Sequence, residues 1–227
     1  WQQTYPLSFA QDDSTLAFLD SLAAGVSPDR SLDNPSRVVV SPDGNHIYTT
    51  SLNYHQLTVF ARDIANQTFV KVQELRSGMP NLSTMYSPTD FAITPDGRFG
   101  YLTAANSDAL FVFSRNPLDG RLSFVAKYED GVAGFTGLDN ATAATVTPDG
   151  TTLLVTATGT NSLTTFAIEG ATGLLTQRQS FFEGVHGVTS MTSPQNVTVT
   201  PDGQQVIVSA TSDSVLNVFD VIPGTGS

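Results

Sequence analysis

Cysteine is absent from the 227 residues, which excludes a disulfide framework, a thiolate metal site and a cysteine nucleophile. Lysine is nearly absent as well. Only Lys71 and Lys127 occur, and ten basic side chains stand against twenty-one acidic ones, for a net charge of -11. A surface of that sign repels phosphate backbones and anionic bilayers, so nucleic acid is disfavoured as a partner and membrane insertion is not expected. No window approaches the roughly 18 to 20 apolar residues of a membrane span, and the opening WQQTYPLSFAQDD lacks the basic and apolar regions of a signal peptide. Histidine occurs only at 46, 55 and 186, and the G-x-S-x-G, H-E-x-x-H, P-loop and EF-hand spacings are all missing. No cofactor is implied.

What is present is repetition. SPDG at residues 41–44 returns as TPDG at 94–97, 147–150 and 200–203, so the glycines fall at 44, 97, 150 and 203, 53 residues apart each time. Other columns keep the same step: Leu57, Leu110, Leu163 and Leu216; Phe60, Phe113, Phe166 and Phe219; Gly25, Gly78, Gly131 and Gly184. An uninterrupted interval over several columns identifies four copies of one supersecondary unit. The length suits a single domain covering residues 1–227.

Within the second unit, DFAI (90–93), FGYLTA (99–104), ALFVFSR (109–115) and RLSFVAKY (121–128) each read as strands separated by turn residues. Proline suits the first central position of a type I turn, aspartate the second, and glycine the left-handed position that follows. Asp43, Asp96, Asp149 and Asp202 are therefore expected as turn formers, one per unit, rather than as a shared acidic site. Four short antiparallel strands repeated at this period predict an all-β fold, a β-propeller of four-stranded blades. The leucine and phenylalanine columns are expected between blades, and Val40, Ile93, Val146 and Val199 along the inner strands.

The stretches RVVVSPDGNHIYTTSLNYHQLTVFARD (37–63), FAITPDGRFGYLTAANSDALFVFSR (91–115) and TVTPDGTTLLVTATGTNSLTTF (145–166) resemble the YVTN-type and lactonase-like β-propeller repeats of bacteria and archaea. The resemblance covers nearly the whole chain and implies blade architecture. For activity it implies less, because this scaffold is shared by lactonases, surface-layer proteins and proteins with no known reaction.

A shift of three units lays STLAFLDSLAAGV (14–26) over GLLTQRQSFFEGV (173–185), so the chain opens with an outermost strand, and it ends on a third strand. Residues 15–22 are thus expected to complete the last blade, which removes two free sheet edges. Residues 5–9 remain as a seventeenth strand. Three architectures fit: a closed four-bladed ring, half of a larger ring, and a subunit that donates its N-terminal strand to a neighbour in a fibre.

Propeller ligands bind near the axis, on loops before the innermost strands. The columns there read Arg37, Asp90, Ala143, Asn196 and Ser36, Thr89, Thr142, Gln195, with Asp33, Tyr86, Asp139 and Thr192 one step earlier. Arg37, Thr89, Asp90, Tyr86, Gln195 and Asn196 are the candidate ligand-binding set. If the mouth is hydrolytic, His186, Arg37, Asp90 and Glu183 are the candidate catalytic residues, with a divalent metal entering only under that reading. Sequons at Asn66, Asn81, Asn140 and Asn196 are candidate glycosylation sites. The favoured function at this level is a non-catalytic, secreted or cell-surface binding or structural module, with a protein or glycan partner or with itself in a homo-oligomer or filament. The alternative is a lactonase-like hydrolase.

Overall fold

A computed structural model of the protein describes residues 32, 34–185 and 187–222. Among the described residues, fifteen strands form four antiparallel meanders. The first sheet is β1 (Pro35–Val40), β2 (His46–Ser51), β3 (Gln56–Asp63) and β4 (Thr68–Arg76). The second is β5 (Pro88–Ile93), β6 (Phe99–Ala104), β7 (Ala109–Arg115) and β8 (Leu122–Glu129). The third is β9 (Ala141–Val146), β10 (Thr152–Ala157), β11 (Ser162–Ile168) and β12 (Leu175–Phe182). The fourth has three strands, β13 (Pro194–Val199), β14 (Gln205–Ala210) and β15 (Val215–Asp220). Residues 15–22, expected as its fourth strand, lie outside the described residues.

The S/T-P-D-G turn behaves as its residue types require. In the first unit the Gly44 N–H donates to the Ser41 carbonyl at 2.8 Å and Gly44 takes φ 72°, a conformation that glycine adopts without a Cβ penalty. The Ser41 hydroxyl donates to Asp43 Oδ1 at 2.6 Å and accepts the His46 N–H at 3.0 Å. Thr94, Thr147 and Thr200 repeat that pair of bonds. The turn is thus locked by a hydroxyl that serves both as donor and acceptor.

The sheets stack face to face around an axis lined by β1, β5, β9 and β13. β5 packs on β1 and β2, β9 on β5 and β6, and β13 on β9 and β10. Tyr48, Leu57, Val59 and Phe91 fill the first junction, Tyr101, Leu110, Val112 and Leu153 the second, and Leu163, Val197, Val206 and Val208 the third. Each fully buried leucine contributes about 1.5–3 kcal/mol of transfer free energy.

Among the described residues the ring stays open between the fourth sheet and the first. Leu57, Leu110 and Leu163 are 0–1% exposed, but Leu216, in the same column, is 70% exposed. On the other side Val38 and Val40 are 63% and 56% exposed, whereas Phe91, the counterpart of Val38, is 2% exposed. The expectation that Leu216 would fill an interblade space is therefore corrected. No fifth sheet among the described residues covers it.

Candidate functional site

Each innermost strand begins with the same irregularity. The residue before it has a left-handed backbone, with φ 52°, 51°, 53° and 59° at Asn34, Ser87, Asn140 and Ser193. A bulge then interrupts the pairing with the second strand, between Pro35 and Arg37, Pro88 and Asp90, Ala141 and Ala143, and Pro194 and Asn196. The unpaired residues are Ser36, Thr89, Thr142 and Gln195. A bulge re-aims its side chain out of the strict alternation of a strand. All four of these residues line one axial cavity of about 210 Å³ together with Arg37, Asn196 and Leu52.

Most of the hydroxyls at this mouth also join blades. The Thr89 hydroxyl pairs with that of Thr103 at 2.8 Å and donates to the Ala141 carbonyl of the next blade at 2.9 Å. Thr142 does the same with Thr156 at 3.1 Å and the Pro194 carbonyl at 2.8 Å. Ser36 pairs with the Thr50 hydroxyl at 2.8 Å.

Arg37 is the charged centre. Its Nε donates to Asp90 Oδ1 at 2.8 Å, and its Nη2 donates to Asp90 Oδ2 at 3.1 Å and to Asn196 Oδ1 at 3.1 Å. Nη1 has no partner among the described residues, and the side chain is 42% exposed. Hydrogen bonding to Asp90 holds the guanidinium pKa above its ordinary value, against the opposing effect of burial. Asp90 is buried and also accepts the Phe91 N–H at 2.8 Å and the Ala144 N–H at 3.2 Å. With both carboxylate oxygens engaged twice, Asp90 is built to hold Arg37 in place rather than to take a proton from water. A bidentate clamp leaves the guanidinium planar, oriented and open along one edge, the geometry that receives a carboxylate or a developing oxyanion.

Five of the six candidate ligand-binding residues gather here: Arg37, Thr89, Gln195 and Asn196 line the cavity and Asp90 anchors it. Tyr86 does not. It lies outside the cavity lining, with its ring edge-on to His55 at 5.3 Å. Glu183 is likewise elsewhere, accepting from Asn161 at 3.0 Å and from the Thr192 hydroxyl at 2.6 Å in the loop after β12. His186 lies outside the described residues. Leu52, which supplies the apolar patch of the cavity, was not singled out from the sequence; it carries no polar atom and sits just after β2. Among the sequons, Asn66, Asn81, Asn140 and Asn196 are all exposed, and the Asn196 side chain also accepts from Arg37. Among the described residues no group of three or more His, Asp or Glu is placed to hold a metal ion, and no helix is long and apolar enough to cross a membrane.

A second polar centre occupies the far end of the first junction, which the sequence reading assigned only to turn formation. The Arg115 side chain is 2% exposed. Its Nε donates to the Tyr48 hydroxyl at 2.7 Å, its Nη1 to the Gly97 carbonyl at 3.1 Å, and its Nη2 to Asp43 Oδ2 at 2.7 Å and His46 Nδ1 at 2.8 Å. Burial works to raise the Asp43 pKa, but the Ser41 hydroxyl, the Asn45 N–H and Arg115 together hold it well below the carboxylate range. Burial and the Arg115 charge push the His46 pKa down, against the pull of Asp43 and Asp119. Gly120 fits beside this imidazole only because it has no Cβ, which would fall 2.2 Å from His46 Cδ2. The other units carry Arg62, Ile168 and Val221 in the Arg115 column; an arginine beside strand partners that are apolar in two of them was the available signal.

The sequence model of a family described as "Lactonase, 7-bladed beta-propeller" matches residues 7–135 and 128–227. Among solved structures, the periplasmic gluconolactonase of Pseudomonas aeruginosa is 28% identical, with a TM-score of 0.64, over 84% of this chain and 50% of its own. A candidate 6-phosphogluconolactonase from Bacteroides uniformis is 22% identical, with a TM-score of 0.70, over 94% of this chain and 59% of its own. A protein from Lactobacillus plantarum is 18% identical, with a TM-score of 0.71, over 95% of this chain and 60% of its own. The last two likenesses show the fold alone. The chain spans from half to three fifths of the length of these three structures. Comparison with curated proteins gave no match.

Proposed function

The chain belongs to the lactonase, 7-bladed β-propeller family, and from that premise we propose that it forms the substrate-holding arc of a lactone hydrolase, with the axial mouth as its site. The observation that carries the reading is Arg37, clamped by Asp90 and Asn196 with one edge open to a cavity lined from all four blades. The likeness to a gluconolactonase supports a polyhydroxylated lactone as substrate.

In lactone hydrolysis a water oxygen adds to the ring carbonyl, negative charge collects on the carbonyl oxygen, and the ring C–O bond then breaks to give a hydroxy acid. Donors placed at the carbonyl oxygen stabilise the charge more in the transition state than in the substrate. Arg37 Nη1 fills that role. Asp90 and Asn196 fix its plane. Ser36, Gln195 and the remaining lone pairs of Thr89 and Thr142 face the hydroxyls of the sugar ring. Proton abstraction from water falls to a group other than Asp90, whose oxygens are occupied.

The test is hydrolysis of a panel of aldonolactones, with and without chelator, by the unaltered chain and by Arg37→Ala and Arg37→Lys. The proposal expects kcat/KM to fall by about 100-fold or more for Arg37→Ala, and hydroxy acid products to compete. Binding of aldonolactones without turnover would favour the non-catalytic module instead. Turnover that ignores Arg37→Ala would move the site away from this mouth.

A further inference from the structure

One hydrogen bond recurs at all three internal junctions, among groups to which no role has yet been given. The residue before each third strand turns its side chain to a backbone N–H of the next blade. His55 Nδ1 accepts from Ser87 at 2.9 Å, Asp108 Oδ1 from Asn140 at 2.8 Å, and Asn161 Oδ1 from Ser193 at 2.9 Å. The acceptors occupy one column of the 53-residue repeat and the donors another. All six residues have left-handed backbones, with φ between 48° and 59°, a conformation that residues other than glycine keep only where their surroundings hold it.

At the first junction the bond bears on the mouth. Ser87 leads through Pro88 and Thr89 to Asp90, so it anchors the head of β5, from which Asp90 clamps Arg37. The Ser87 carbonyl is engaged as well, accepting the Ala105 N–H of its own blade at 2.9 Å. Across the second and third junctions a hydroxyl also ties the blades, Thr89 to the Ala141 carbonyl and Thr142 to the Pro194 carbonyl. Ser36 bonds instead to Thr50 within its own sheet. The head of β5 thus meets the first sheet through His55 at Ser87 and through Arg37 at Asp90. Acceptance at Nδ1 puts the ring proton of His55 on Nε2. The ring also stands edge-on to Tyr86 at 5.3 Å, so packing and hydrogen bonding have to be separated by substitution.

We propose that His55 is a positioning residue for the mouth: by accepting the Ser87 N–H across the first junction it fixes the head of β5, so that Asp90 presents both oxygens to Arg37 and the open edge of the guanidinium keeps its aim. Its effect on turnover rests on the reading of the mouth as a lactone hydrolase. Its effect on the Arg37–Asp90 pair does not.

The test compares His55→Asn, His55→Gln and His55→Ala with the unaltered chain. Asparagine carries its Oδ1 as many bonds from the backbone as histidine carries Nδ1, and Asn161 already fills this place in the third blade. That variant keeps the acceptor for Ser87 and loses the ring against Tyr86, whereas glutamine displaces the acceptor and alanine deletes it. Hydrogen exchange by NMR reads the Ser87 N–H and the Arg37 Nε–H, and aldonolactone hydrolysis reads kcat and KM. The proposal expects both exchange rates to rise by about 5- to 10-fold in the glutamine and alanine variants, with circular dichroism unchanged, and to stay within about twofold in the asparagine variant. The same order should hold for kcat/KM, with a fall of about 10-fold or more carried by kcat. An asparagine variant as impaired as the alanine one would assign the role to ring packing and overturn the proposal. So would unchanged Arg37 Nε–H exchange in the alanine variant, or a kcat that ignores the loosened pair. If the unaltered chain turns over no aldonolactone, the hydrolase reading falls and the two exchange rates alone decide the role of His55.

Discussion

Arg37 and Asp90 occupy the same position in consecutive repeats, 53 residues apart, and the structure joins them by hydrogen bonds of 2.8 and 3.1 Å across the first interblade junction. Equivalence in the repeat has become a charge pair. Removing the arginine leaves a buried carboxylate with only the Phe91 and Ala144 N–H groups. Arg37→Met should therefore cost about 1–2 kcal/mol of stability, less than a fully buried pair because the guanidinium is half exposed. Asp90→Asn should cost a similar amount, and the double variant less than the sum. Urea titration of the four proteins reads the coupling.

One column offers a control within the molecule. Leu110→Ala removes a side chain with no exposure and should destabilise by about 2–5 kcal/mol. Leu216→Ala, at the open face, should change the stability of the single chain by no more than about 0.5 kcal/mol. Equal losses at the two positions would show that the fourth sheet is covered in solution.

The rim network sets an acid limit. His46 has its pKa depressed by burial and by Arg115, so the unfolded chain binds that proton more readily than the folded one. Its contribution is complete above an unfolded pKa of about 6.5 and is lost as pH falls below it. Asp43, also depressed, adds a loss below about pH 4. Thermal melts from pH 8 to 3 should show both declines, and His46→Gln should flatten only the upper one.

The repeated turn depends on its hydroxyl. Thr94→Val deletes a donor to Asp96 Oδ1 and an acceptor for the Phe99 N–H, and should cost about 1–2 kcal/mol. Thr94→Ser, which keeps both bonds, should be nearly neutral. Chemical denaturation distinguishes the two.

The strands of the second unit were legible to within about two residues, because alternation and turn chemistry are local properties. The expected 99–104 and 109–115 coincide with β6 and β7, and 90–93 falls short of β5 only by Pro88 and Thr89. Those two residues lie on the bulge, which depends on the partner strand and leaves no signature in composition. The mouth columns were legible because repetition made positions comparable, and five of the six residues chosen do gather there. Tyr86, in the loop before β5, lies outside the cavity lining, its ring set against His55. Arg115 was passed over because its partners, Tyr48, Asp43 and His46, lie 67 to 72 residues away in the preceding unit. The sequence could not choose among its three architectures for a related reason: Leu216 is indistinguishable from Leu110 until the next sheet is sought.

The bulge at the head of each innermost strand has a consequence for how such a molecule changes over time. Ser36, Thr89, Thr142 and Gln195 sit outside the ladder, so they do not answer to strand register, and only Thr89 and Thr142 among them are held by a carbonyl of the next blade. Mutation can rewrite Ser36 and Gln195 one at a time while the body of the protein stays put. The barrier to a new specificity is then a short walk through point substitutions, not a redesign of the scaffold.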